Sequence, residues 1–290
     1  MQTIDITQLQ AIGYGGMSTV YRYSDALAVK VFRQGIARDV VTHEYDMARK
    51  AYALGMPTPQ PHEVIETQSG QHGIVYGLCN GMTLSQAITA HPERLEDYAV
   101  SLAELYRRLH STTVTEDAAV PNAHESEAEA IRRVTPLFGK DGTDALERIL
   151  DTIPQGDCLI HGDLHPGNIM IEDDRMFLID MSEMGYGNPL IDIAHVHALM
   201  TSGLIDIQRF IGFPDKYAAP LWDSLLRHYY SDKSESELQA IRKRLDTLSL
   251  IRCFTWLAPS EGLPEEVITR FQGHFRRLVK IQTATDSNIS

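Results

Sequence analysis

The segment HGDLHPGNIM (161–170), followed by FLID (177–180), decides how this chain is read. It sets a His-x-Asp five residues ahead of an Asn, with a second Asp twelve residues after that Asn, closing an apolar run. Transfer of a phosphoryl group calls for this set. One carboxylate accepts the proton of the attacking hydroxyl, while an amide oxygen and a second carboxylate hold the hard cation that bridges the nucleotide phosphates. Asp163 is the candidate base, and Asn168 and Asp180 are the candidate magnesium ligands. A turn of Asp, Pro, Gly and Asn with no chemistry would not reproduce residue types and spacings together. Zinc through His161 and His165 lacks a third ligand nearby.

Upstream, IGYGGMSTVYR (12–22) places Gly13, Gly15 and Gly16 between two strand-like runs. A dinucleotide fold or a P-loop needs strand, glycines and then a helix, so both are excluded. A glycine hairpin can instead lay its backbone N–H groups over phosphates, because no side chain blocks the approach. Lys30 interrupts the apolar strand ALAVKVF (26–32), where burial is costly unless an anion meets it; the alternative is that it faces solvent. Glu44, on a predicted helix, is its natural partner.

The rest of the chain sorts into strands first and helices after. Strands are predicted near 4–12, 18–24, 26–32, 62–67 and 73–79. A helix is predicted over 37–54 with Val40, Val41, Met47, Ala48, Ala51 and Leu54 at helical spacing, stopped by Gly55 and Pro57. Past Asn80-Gly81, Pro92 opens an amphipathic helix through Leu109, and Ser126 with Glu129 has the form of a capping box. From about 189 onward the pattern is mostly helical, and only 115–129 is compositionally biased. This order predicts an α+β fold of two lobes. Residues 1–80 would form a small β-rich N-lobe with one main helix, and 81–290 a larger, mostly helical C-lobe, with a hinge at about 77–84.

The order of these motifs over nearly the whole chain resembles the aminoglycoside phosphotransferase family, which includes choline-kinase-like and other small-molecule kinases of protein-kinase-like fold. The resemblance rests on the glycine loop (13–18), Lys30, Glu44, HGDLHPGN (161–168), Asp180 and GNPLIDIAH (187–195). It implies ATP between the lobes, with Gly13, Gly15, Gly16 and Ser18 over the phosphates and Lys30, oriented by Glu44, on the α- and β-phosphates. It implies backbone contacts from Gly77, Leu78 and Cys79 to the base, which would suit GTP as well as ATP. Asp192 would brace the catalytic loop. Protein kinases carry Arg and Lys where this chain has Gly162 and His165, and only eleven residues lie between Asp180 and Asp192. A long peptide-binding segment does not fit there, so a small hydroxyl compound is the expected acceptor: an aminoglycoside, an amino-alcohol or a sugar. A Ser/Thr protein kinase and a silent nucleotide-binding module are the competing readings, the second opposed by an intact set of site residues. His165 is placed either to reach the transferred phosphate or to pack in the loop. Glu183 carries little weight, and His110, His195 and His197 are expected to pack.

Bulk properties agree. A net charge of −13 with no basic face excludes a nucleic-acid partner. Nearly all of that charge lies after residue 80, which reads first as a solvated acidic surface and, more sharply, as a field that would draw a cationic substrate. No apolar run approaches a membrane span. Three scattered cysteines without a CxxC pair, and no signal-like N-terminus, predict a reducing, cytoplasmic setting. Nothing in the pattern specifies an oligomer.

Overall fold

The computed structural model describes residues 3–115, 119–256, 265–266, 268–273 and 275. Its N-terminal sheet contains β1 (Thr3–Ile4), β2 (Gln10–Tyr14), β3 (Ser18–Arg22), β4 (Leu27–Phe32), β5 (Pro61–Thr67) and β6 (His72–Gly77), in the order β1-β5-β6-β4-β3-β2. Neighbours are antiparallel except β1 beside β5.

Side chains alternate across a strand, and this sorts β4 cleanly. Val29 and Val31 join Ile4, Ile65 and Val75 in one small core. Phe32 joins Ile74 and Val41, a residue of helix α1 (Arg38–Ala53), on the opposite face. Lys30 shares the face of Phe32 and so points at α1, not at solvent. The buried stripe of α1 is Val41, Glu44, Met47, Ala48 and Ala51, so a carboxylate stands within an apolar helix face. Val40, expected on that stripe, is instead 46% exposed.

Beyond Gly77 the chain descends through Asn80, whose N–H donates to Glu172 Oε1 (2.7 Å) and whose side chain accepts from Arg22 (3.0 Å). A Cβ at Gly81 would lie 1.8 Å from the Ile171 carbonyl oxygen, so only glycine allows this approach. There follow β7 (Met82–Thr83), α2 (Leu84–Ala90), α3 (Leu95–His110), α4 (Ala123–Arg133), α5 (Thr135–Phe138), α6 (Lys140–Leu150) and β8 (Cys158–Ile160). The described part continues with β9 (Ile169–Glu172), β10 (Arg175–Leu178), β11 (Gly185–Gly187), α7 (Leu190–Thr201), α8 (Ile207–Ile211), α9 (Ala218–Tyr229) and α10 (Glu235–Thr255). Strands β10-β9-β7 make one small sheet and β11-β8 another. A single large core joins these elements, including Leu102, Leu109, Trp222, Leu245 and Phe254. The bilobal α+β architecture matches the sequence pattern.

Local expectations need correction in places. The run 4–12 is not one strand, because Asp5 Oδ1 accepts from both the N–H (2.9 Å) and the hydroxyl (2.7 Å) of Thr7 and turns the chain. Pro92–Arg94 is a 3-10 turn, and α3 begins after it. The cap of α4 is Asn122, which accepts from the N–H groups of His124 (2.9 Å) and Glu125 (3.3 Å). Ser126 therefore lies inside the helix, and Glu129 pairs with Arg132 and Arg133. Helix α2 was not expected, although Thr83 and Gln86 form a reciprocal capping box. Within the biased segment 115–129, residues 116–118 lie outside the described residues.

Candidate active site

The two halves enclose a cavity of about 420 Å³, within the range of small-ligand sites. Gly13, Gly15 and Ser18 of the β2–β3 hairpin line its roof, with the Gly15 N–H closing the turn on the Ser18 carbonyl (2.9 Å). Gly16 is not part of the lining. Lys30 and Glu44 line it as well, joined by a 2.6 Å salt bridge with both side chains largely buried. Burial disfavours the Lys30 charge, but Asp180 and Glu44 outweigh it and raise its pKa. Tyr76 closes the back of the cavity, its hydroxyl donating to Glu44 (3.3 Å).

Gly77, Leu78 and Cys79 also line the cavity. The Gly77 N–H is spent on Gln60 O and the Leu78 N–H on Ala26 O, both at 2.8 Å. That leaves the Cys79 N–H without an acceptor among the described residues and available to a base.

On the floor, Asn168 and Asp180 face the same cavity. Asp180 takes up the left-handed conformation (φ 61°), unusual for a residue with a side chain. Its Oδ1 accepts from Ser182 Oγ (3.3 Å) and lies 3.4 Å from Lys30 Nζ. Asn168 Nδ2 donates to the backbone oxygen (3.0 Å) and to Oδ2 (3.1 Å) of Asp163. Its amide oxygen is thereby turned away from Asp163. Two oxygen donors on the wall of this cavity fit a magnesium ion, which takes few protein ligands and completes its shell with phosphate and water.

Asp163 stands behind Asn168 and does not itself line the cavity. Its Oδ2 is 3.5 Å from His165 Nε2, while Oδ1 accepts from Arg252 Nη2 at 2.7 Å. Burial would raise its pKa, yet the His165 contact and the Arg252 charge hold the carboxyl far below the ordinary range. His165 is buried and its Nδ1 accepts from the Gly167 N–H (3.0 Å), so it packs within the loop. Fully buried His161 donates to Ile179 O (3.1 Å) and accepts from the Asp163 N–H (3.3 Å), so neither histidine is free to take zinc.

The loop is braced from below. Asp192, with no exposed surface, accepts from the N–H groups of His161 and Gly162 (2.8 Å each) and contacts His110 Nε2 (3.1 Å). His195 Nδ1 bonds Gly162 O (3.0 Å), and its Nε2 pairs with Glu127 (3.2 Å). Gly162 has φ 84°, and a Cβ there would sit 2.3 Å from Glu183 O. Gly162→Ala should therefore cost about 2–4 kcal/mol of stability and most of the activity. Thermal unfolding of this variant at the wild-type midpoint would contradict the tight fit.

Burial disfavours the His195 charge, but Glu127 more than compensates and raises its pKa; the same contact lowers that of Glu127. The pair's stabilisation therefore has two edges. His195 contributes fully below its unfolded pKa, about 6.5, and loses the contribution as pH rises through its folded value. Glu127 contributes above its unfolded pKa, about 4.3, and loses it as pH falls through its depressed value. His195→Asn should remove the alkaline edge. Melting curves at pH 6 and pH 9 test this, and equal alkaline losses in both proteins would contradict it.

Sequence reasoning missed Arg252, which lies in α10 and also contacts Glu183 (3.3 Å), and it missed Glu127. A signal for the first existed. Arg252 interrupts the buried run Leu248, Ile251, Cys253, Phe254, as Lys30 interrupts β4. Glu127, in a helix face like any other, left none.

A β-rich lobe over a helical lobe, with a Lys–Glu pair above and an Asp-Asn-Asp set below, defines a protein-kinase-like fold. Residues 9–229 match the model of the phosphotransferase enzyme family (APH), and the chain belongs to that family. Among solved structures it is similar to aminoglycoside phosphotransferase APH(2'')-Ib bound to ADP, with 15% identity, 93% of this chain and 92% of that chain covered, and a TM-score of 0.61. It is similar to APH(2'')-IIa in a ternary complex with streptomycin and ATP (14% identity, coverage 93% and 91%, TM-score 0.61). A choline/ethanolamine kinase family protein from Mesorhizobium loti is also similar (15% identity, coverage 93% and 87%, TM-score 0.59). At such identity these likenesses carry the fold alone. No curated protein matches the sequence. Among the described residues no helix is long and apolar enough to cross a membrane.

Proposed function

We propose that this phosphotransferase moves the γ-phosphoryl group of ATP, with magnesium, to a hydroxyl of a small molecule: an aminoglycoside, an amino-alcohol or a sugar. The observation that carries this is one cavity lined by Lys30, Glu44, Asn168 and Asp180, with Asp163 hydrogen-bonded behind Asn168. GTP is the alternative donor, since the hinge meets the base through backbone.

In this reading Lys30 holds the α- and β-phosphates and Glu44 fixes its position. The glycine hairpin covers the phosphates, and Asn168 and Asp180 present oxygens to the ion. Magnesium, when bound, supplies positive charge against that developing on the phosphate oxygens. The acceptor oxygen forms its bond to the γ-phosphorus as the bond to the β–γ bridging oxygen breaks. ADP leaves with that electron pair, and the hydroxyl proton passes to Asp163. Asp192 and His195 hold the loop that carries Asp163 and touch no reactant.

A panel of aminoglycosides, amino-alcohols and sugars, assayed for magnesium-dependent ADP release and for a product heavier by one phosphoryl group, tests the reading. Tight magnesium-nucleotide binding with no product from any class would favour a silent module instead. The free cysteines Cys79, Cys158 and Cys253 fit a reducing, cytoplasmic setting, and the acidic surface fits a protein without a nucleic-acid partner.

A further inference from the structure

We propose that Arg252 makes the acceptor site select an uncharged hydroxyl compound, a sugar or polyol, over an amino-alcohol or an aminoglycoside. The inference rests on the phosphotransfer reading and narrows its acceptor class.

The two oxygens of Asp163 face different neighbours. Oδ2 lies against Asn168 and His165, toward the nucleotide cavity, and Oδ1 lies against Arg252 Nη2 at 2.7 Å. An acceptor hydroxyl reaching Asp163 from outside that cavity comes in on the Arg252 side. The same guanidinium holds Glu183 through Nη1 at 3.3 Å. Asp163 and Glu183 would be the natural seat for an ammonium group beside the reacting hydroxyl, and a cation of the chain already occupies it. Arg252 is not a loose surface arginine: its side chain is 13% exposed, on a helix packed against α4, α6 and α7.

One helical turn beyond Arg252, Trp256, the residue that caps α10, meets Phe210 edge to face, with ring centroids 4.6 Å apart. Phe210 belongs to α8, which abuts the catalytic loop, since a Cβ on Gly167 would lie 3.1 Å from Ile211 O. Arg209 stands over the Phe210 ring at 5.5 Å, so one face of that ring already holds a cation of the chain. This neighbourhood offers a guanidinium, an engaged carboxylate pair and an aromatic pair with a cation already against it, which suit hydroxyls and C–H groups.

The acidity of the C-terminal part pulls the other way. That charge is spread over a solvated surface, and salt screens it beyond about 8 Å. A like charge within a few ångströms of a nearly buried guanidinium is screened far less, so the local term decides selectivity.

Matched pairs test this, with kcat/KM measured for each member: glucose with glucosamine, galactose with galactosamine, and ethylene glycol with ethanolamine. N-acetylglucosamine, amide-bearing and uncharged, separates charge from bulk. The uncharged member of each reactive pair should be favoured by about tenfold or more. Arg252→Gln should bring the ratio toward one, and Arg252→Lys should keep it. A preference for the ammonium member in the wild-type protein, or a ratio unmoved in Arg252→Gln, overturns the inference and leaves phosphotransfer standing. No product from either member of any pair overturns this inference, since no sugar or polyol then serves as acceptor, while the wider acceptor panel with aminoglycosides still tests phosphotransfer itself. Should Arg252→Gln not fold, the wild-type and Arg252→Lys ratios still decide.

Discussion

Asp163→Asn should lower turnover by roughly 10²–10⁴-fold, the usual worth of a positioned general base, and leave nucleotide affinity unchanged. The amide that replaces the carboxylate cannot take the acceptor's proton. Nucleotide binding is spared because Asp163 does not line the nucleotide cavity; Asn168 and Asp180 do. The wild-type pH profile adds a second reading of the same group. Arg252 and His165 hold Asp163 ionised well below the usual carboxylate range. A base works deprotonated, so the acidic limb due to this residue should lie below that range. Steady-state kinetics with a responsive acceptor, alongside calorimetric titration of magnesium-nucleotide, measure both quantities. Full turnover in Asp163→Asn would remove it as the base.

Asp192→Ala should destabilise the protein by about 3–5 kcal/mol, the cost of breaking a buried charged contact by deleting one side of it. Three groups lose their acceptor at once: the N–H of His161, the N–H of Gly162 and the His110 imidazole. Burial pushes the Asp192 carboxyl up, yet these contacts hold it below its ordinary value. For a chain of this size the unfolding midpoint should fall by roughly 5–8 °C. Asp192→Asn keeps the shape but offers one oxygen and turns an NH₂ toward a donor, so it should recover only part of the loss. Activity should fall with loop order even at temperatures where both variants remain folded. A wild-type midpoint in Asp192→Ala would show that the loop stands without this brace.

The two mutations separate what acts from what holds, and the sequence spoke to both with unequal clarity. The Asp-x₄-Asn spacing and the later Asp180 are short-range patterns whose chemistry admits few uses, so they were legible. The Lys30–Glu44 pair was legible for a physical reason, since a charge in an apolar strand must find a counter-charge. Arg252 obeys the same rule in α10, but its partners lie 69 and 89 residues away, and no local spacing names them. Glu127 is further still from legibility: an ordinary helical glutamate becomes a buried partner of His195 only because α4 is packed where it is. The misplaced α4 cap has a smaller cause, as two polar side chains competed for one helix start and Asn122 lay earlier in the chain.

By itself the sequence determined the class of fold, through strands followed by helices, and the type of chemistry, through residue types at fixed local spacing. Hydrophobic period and turn residues act over a few positions, so a linear reading can recover them. Only the tertiary structure decided which carboxylates are free and which are already paired. That depends on contacts between elements far apart in the chain, at distances where a fraction of an ångström separates a hydrogen bond from none. The HGDLHPGN loop was therefore readable as chemistry, while the arginine beside its aspartate, and the acceptor charge it would select, became visible only once α10 was packed against it.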